Sequence, residues 1–244
     1  MRGSIRRKTK QRLPREQRKA ELMDVAQALF CEKDYGAALL SEIADRSGVV
    51  EGAIYKHFAG KRDLLIHVVE RWYQRKLADY DSQLSGMKGT WNRLRFMIWK
   101  HLKVIHDEPA MVRLIINELR AGEDYRDTDV YALTRQYTQR TIAIVEEGIA
   151  SGEFRKDIPV RIMRDMIYGG VEHHTWSFLR GDAQFSPDDT ADAITDLVYR
   201  ALATDKSSHD LSMRQAVERL NEVADRMEST LDPTARKPAR KRHV

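Results

Sequence analysis

The 244-residue chain holds a single cysteine, Cys31, so it can form no intrachain disulfide. Such thiol poverty fits a reducing compartment, and a cytoplasmic location is expected. Cys31 falls near the end of the first predicted helix and reads as a half-buried thiol, not a redox switch. The six prolines gather into no linker, and no internal repeat is visible. No apolar run approaches the ~20 residues that a membrane span needs, so no membrane partner is expected. The N-terminus lacks an apolar stretch and is expected not to be a secretory signal. Catalytic signatures are also missing: there is no G-x-S-x-G elbow, no P-loop, no G-x-G-x-x-G and no H-E-x-x-H. Neither catalytic residues nor a cofactor are expected, and an enzyme is the weakest reading. Metal chemistry fares little better. Adjacent His173 and His174 would point about 100° apart on a helix. His101 and His106, five apart, are also poorly spaced, so no metal site is expected.

What is present is an apolar fraction of 42%, enough for a sizeable core, and a formal charge of +5 distributed unevenly. Residues 1–14 form a basic arm with Arg2, Arg6, Arg7, Lys8, Lys10 and Arg12; Arg15, Arg18 and Lys19 continue it, with Glu16 the only acid. Such an arm suits a polyanion, and an A·T-rich minor groove is a fitting partner. Residues 232–244 form a second basic segment, read as a solvated tail.

Leu39 to Lys61 organises the chain. Leu40, Ile43 and Ala44 give one apolar helix face. Gly48 can take the left-handed conformation that ends this helix, and Val49 drops toward the core. A second short helix, from about Val50 to His57, has Ala53, Ile54 and Phe58 on its apolar side and Gly52, Tyr55, Lys56 and His57 on the other. Two short helices joined by a tight Gly turn are the shape that sets a recognition helix in a major groove.

These residues resemble the TetR family of bacterial transcriptional regulators. The resemblance covers Leu22 to Leu65: the first helix (LMDVAQALF), Tyr35, Ile43-Ala44, Gly48-Val49, the run Gly52 to Phe58, and Lys61. It implies an all-α homodimer with a three-helix DNA-binding domain (15–62) and a larger helical effector-binding and dimerisation domain (63–205). It also implies that Tyr55, His57 and Lys61 touch DNA phosphates, while Gly52, Ala53 and Lys56, with Val50 and Glu51 beside them, face base edges. The chain departs from the family pattern at Asp34, where Gly is usual, at Ala38 and Leu39, where Thr and Ser are frequent, and at Val50, where Ser often caps the recognition helix.

Further helices follow by periodicity: Lys61 to about Gln83, Thr90 to His106, one carrying Met111 to Leu119, Thr128 to Ala150 and Val160 to Leu179. The boundary between the two domains is placed just inside the Lys61 helix. Ser186 and Pro187 mark a well-capped start for the next helix. In that resemblance the 160–179 helix and the one after it form the interface between two subunits. Glycines 169 and 170 would each cost roughly 1 kcal/mol in a helix interior, which points to close approach by another helix. An extra helix is expected over 206–231. The surplus of large side chains suggests an effector pocket that includes Trp72, Trp91, Phe96, Trp99, Met111, Tyr137, His173 and Trp176. The expected partners are thus a palindromic double-stranded DNA operator, a second copy of the chain, and an apolar or aromatic small molecule. The alternative is an architectural or constitutive DNA-binding protein with no effector.

Overall fold

Leu22, Ala26, Leu29 and Phe30 recur at helical spacing, and all four are buried on the inner side of α1 (Arg15–Glu32). This stripe braces α2 (Leu40–Ser47) and the start of α3 (Lys61–Leu84). The computed structural model describes residues 14–204; the arm before Pro14, the 206–231 segment and the 232–244 tail lie outside them. Gly48 ends α2 at φ 65°, ψ 37°; Val49 N–H bonds the Ala44 carbonyl and Gly48 N–H that of Asp45, the paired closure that a left-handed glycine permits.

The recognition segment differs from the sequence expectation. It is a 3₁₀ turn over Glu51–Lys56, not an α-helix. So short a segment recovers little of the cost of nucleating an α-helix, and Val50 offers no side-chain cap.

The rest of the chain folds as α4 (Thr90–Asp107), α5 (Pro109–Leu114), α6 (Asp129–Ala150), α7 (Val160–Leu179) and α8 (Pro187–Leu202). Ser186 caps α8 by accepting from Asp189 N–H, with Pro187 in the first turn. The expected single helix through Met111 to Leu119 is instead α5 running into a π-helical stretch, Ile115–Arg120, followed by a 3₁₀ turn, Glu123–Asp127. Helix α8 lies along α4, α3 lies on α6, and α6 meets α7.

Helix α3 belongs to two cores. Leu64, Leu65, Val68, Val69 and Trp72 join α1, α2 and the α5–π segment; Leu77 and Tyr80 join α4, α6 and α7. A third cluster gathers Val145, Phe154, Met163, Tyr199 and Leu202. There Phe154 lies against Gly148, held by its N–H on the Gly148 carbonyl at 2.9 Å and by the Tyr199 ring at 5.2 Å. A Cβ on Gly148 would overlap the Phe154 ring. Helix propensity favours Ala over Gly by roughly 1 kcal/mol, but overpacking against a fixed ring costs about 1–3 kcal/mol and more where backbone must move. Gly148→Ala should therefore lower stability by about 1–2 kcal/mol, read as a fall in the urea midpoint.

Candidate nucleic-acid interface and ligand cavity

The 3₁₀ turn splits the recognition residues by environment. Ile54 and Phe58 are buried in the first core, and Ala53 and His57 are half-buried. Glu51, Gly52 and Lys56 are exposed, and Val50 and Tyr55 stand out at 76% and 55% exposure. Large apolar surface left in water beside a cation suits a groove lined by bases and sugar. Leu39, at the head of α2, adds to the same outer surface. Burial lowers the His57 pKa, with Arg15, Lys19 and Lys56 lowering it further, so this flank of the head is already cationic with His57 neutral. Lys19 also lies over the Phe58 ring at 5.7 Å.

Lys61 is less free than its expected role suggested. Its ammonium donates to the carbonyls of Tyr35 and Gly36 and sits over the Tyr35 ring at 4.3 Å. Burial lowers its pKa. The first turn of α3 is thereby tied to the short turn that precedes α2.

A cavity of about 510 Å³ lies between α3, α4, the α5–π segment, α6 and α7. That size suits a small organic ligand. Val104, Ile105, Val112, Ile115, Ile116 and Leu179 give it apolar wall, and Trp72, Tyr73, Tyr125, Tyr131, Tyr137 and Tyr168 give it aromatic wall. Polar groups converge as well. His101 Nδ1 lies 2.9 Å from the Tyr137 hydroxyl, and the Tyr168 hydroxyl lies 2.8 Å from Thr141 Oγ1. Burial pushes the Tyr73 phenol up to about 12 and raises Tyr137 and Tyr168 as well, so all three stay protonated. Arg135, Arg161 and Arg164 line one end, against the single carboxylate of Asp165, which Arg164 engages. Arg120, paired with Glu172, lines another part of the wall.

His101 lines the cavity half-buried, and burial followed by the Arg120 charge depresses its pKa to about 4. The folded state keeps this imidazole neutral, whereas the unfolded chain protonates it near 6.5. Its contribution is therefore complete above about pH 6.5 and is lost as the pH falls toward about 4, on the order of 3 kcal/mol at most. Urea midpoints should drop between pH 7 and pH 4.5, and His101→Gln should flatten that drop. Parallel profiles would contradict this placement of His101.

Two of the expected pocket residues, Trp72 and Tyr137, line this cavity. His173 and Trp176, with Ala121 and Gly169, border an adjoining surface groove along α7 that shares Ile116, Arg120, Glu172 and Leu179 with the cavity. Trp91 instead donates from Nε1 to Asp196 at 3.0 Å and fastens α4 to α8. Phe96 and Trp99 pack in the second core, and Met111 in the first. The arginines, His101 and most of the cavity tyrosines were not among the expected pocket residues; the surplus of tyrosines in this half of the chain was the one available signal. Among the described residues, no group of three His, Cys, Asp or Glu side chains is placed to hold a metal ion. No described helix is long and apolar enough to cross a membrane.

The outer face of α7 and α8 carries an apolar stripe. Ile162, Met166 and Trp176 on α7 are 50%, 70% and 50% exposed, and Leu197 on α8 is 71% exposed. Gly169 and Gly170 lie on the same side of α7, and a Cβ on either would meet nothing within 4 Å. Among the described residues, the close helix approach that these glycines suggested is not made.

Residues 22–68 match the family model for bacterial regulatory proteins of the tetR family, and residues 88–202 match that for the tetracyclin repressor-like C-terminal domain. The chain is 24% identical over 165 residues to the fatty acid metabolism regulator protein of Bacillus subtilis, covering 68% of this chain and 85% of that one. It is 25% identical over 164 residues to the transcriptional repressor KstR2 of Mycobacterium tuberculosis, covering 67% and 80%. The crystal structure of FadR from Bacillus subtilis in complex with stearoyl-CoA superposes with a TM-score of 0.67 at 23% identity, covering 74% of this chain and 97% of that one.

Proposed function

The chain belongs to the TetR family of bacterial transcriptional regulators, and from that premise we propose a cytoplasmic homodimeric repressor that an acyl thioester releases from a palindromic operator. The observation that carries this reading is the joining, along α3, of an exposed head to a partly open cavity. Each head (15–62) presents Val50, Gly52, Tyr55 and Lys56 to one major groove, while the helices of 63–205 hold the ligand and the partner. Two heads related by a two-fold axis read half-sites roughly 34–36 Å apart, or a multiple of that. The stripe of Ile162, Met166, Trp176 and Leu197 is the dimer face, with Gly169 and Gly170 allowing the second copy to approach closely.

The cavity supports an amphiphile. Its aliphatic and aromatic wall fits an acyl chain or another flat apolar body, the His101–Tyr137 pair suits a carbonyl, and Arg135, Arg161 and Arg164 suit phosphates. Stearoyl-CoA, the molecule bound in the similar Bacillus protein, has that arrangement of parts. Titration should give stearoyl-CoA an affinity at least about tenfold above free stearate or coenzyme A alone, with Trp72 fluorescence as the signal. Its addition should release the chain from DNA. Equal, weak binding of all three compounds would contradict this choice of effector. A DNA-binding protein without an effector has no use for a cavity of this size.

A further inference from the structure

Resting on the ligand-released regulator above, we infer that Arg62 is the positioning residue through which the cavity sets the geometry of the reading head. Arg62 lies in the first turn of α3, next to Lys61. It reaches across to the ligand-binding half, giving Nε to Asp124 at 2.7 Å, Nη2 to the other oxygen of that carboxylate, and Nη1 to the Glu118 carbonyl at 3.0 Å. Both acceptors are close chain neighbours of residues that line the cavity. Glu118 is in the π stretch, whose Ile116 and Arg120 face the cavity; Asp124 precedes Tyr125, which faces it too. Ile115 and Leu119 of the same stretch are buried in the core of α1, α2 and α3, and Ile115 also lines the cavity. Six residues thus touch the cavity, the core of the head and, through a carbonyl, Arg62.

Two features make this contact a specific device. A π-helix carries surplus residues in each turn and can rewind to α with a shift of its carbonyls, a property that places such stretches at functional sites. Gly122 leaves the space the guanidinium occupies, since a Cβ there would overlap both Arg62 Nη2 and the Asp124 carboxylate. Pressure on Ile116 and Arg120 therefore moves Glu118 and Asp124, and Arg62 passes the movement to the first α3 turn. Lys61 carries it on to the Tyr35 and Gly36 carbonyls ahead of α2. A packed wall of this kind switches between discrete arrangements instead of deforming smoothly.

The test measures affinity of the full chain for its best selected duplex, with and without stearoyl-CoA, for wild type, Arg62→Gln and Gly122→Ala. Wild type should weaken by about tenfold or more on adding the ligand, within the usual range of coupling. Both variants should weaken less than about twofold, while binding stearoyl-CoA within about threefold of wild type and keeping the wild-type melting temperature to within a few degrees. Full ligand response in Arg62→Gln would overturn the inference. If wild type binds no stearoyl-CoA, the effector proposal fails, and a cavity-filling Ile116→Trp supplies the pressure in its place. A tenfold loss of DNA affinity with Arg62 present, reduced below about twofold in Arg62→Gln, supports the device. Equal losses in the two backgrounds, or none in either, overturn it.

Discussion

Leu197→Glu will convert the protein to a monomer and lower its affinity for a palindromic duplex by about 100-fold or more. Leu197 is 71% exposed in the single chain, so its replacement removes no internal packing. Met166, Ile162 and Trp176 on α7 are exposed apolar side chains as well, and clustered exposed apolar groups mark an interaction face. A carboxylate on that face must be desolvated when two copies meet, which costs more than the side chain it replaces contributed. Loss of the second head then removes the effective-concentration advantage of a bivalent grip, worth about 10²–10⁴ in affinity. Sedimentation should show one species at half the wild-type mass, with an unchanged melting temperature for the folded chain. A dimer that survives both Leu197→Glu and Met166→Arg would place the interface elsewhere.

The second large effect concerns the head. Tyr55→Ala with Lys56→Ala should reduce DNA affinity by about 2–6 kcal/mol per half-site, summed from about 1–3 kcal/mol for each groove or backbone contact. Both residues are exposed, so stability should not change. Lys61→Ala should behave differently. It removes the cation that satisfies the Tyr35 and Gly36 carbonyls, so the turn before α2 loosens as well. DNA affinity should fall for every sequence alike, and the slope of log affinity against log salt should become shallower by about 2, one for each subunit. Lys56→Ala alone should shift sequence preference. Equal losses across sequences for Lys56 and Lys61 would contradict the separate roles given to them.

What could be read from the residues follows the range of the interactions involved. Gly48 closes α2, Ser186 and Pro187 open α8, and α7 runs from Val160 to Leu179, because capping and helical periodicity act within a few residues. The 3₁₀ form of the recognition turn and the π stretch were not legible. Both depend on how Ile54, Ile115 and Leu119 seat in a core shared by elements far apart in sequence. The cavity was legible only in its chemistry. A surplus of aromatic residues marks that half of the chain, but which of them line a void depends on the rotation of each helix. Trp91 and Trp72 look alike in sequence; the first meets Asp196 on α8, and the second donates to Glu108 at 2.6 Å while facing the cavity. The arginine rim was hidden for a different reason. Arg135 and Arg161 sit on separate helices and read as ordinary solvated positions until α6 and α7 are brought together.

The most direct test of a dimeric, sequence-reading regulator is selection of the purified full chain on a random-sequence duplex library at two salt concentrations. A two-fold symmetric motif is expected, with half-sites one helical turn or a multiple apart and a steep loss of binding at the higher salt. Salt-sensitive retention of duplexes with no common motif would contradict it, leaving the basic segments as a non-specific grip and the recognition turn without a reading role.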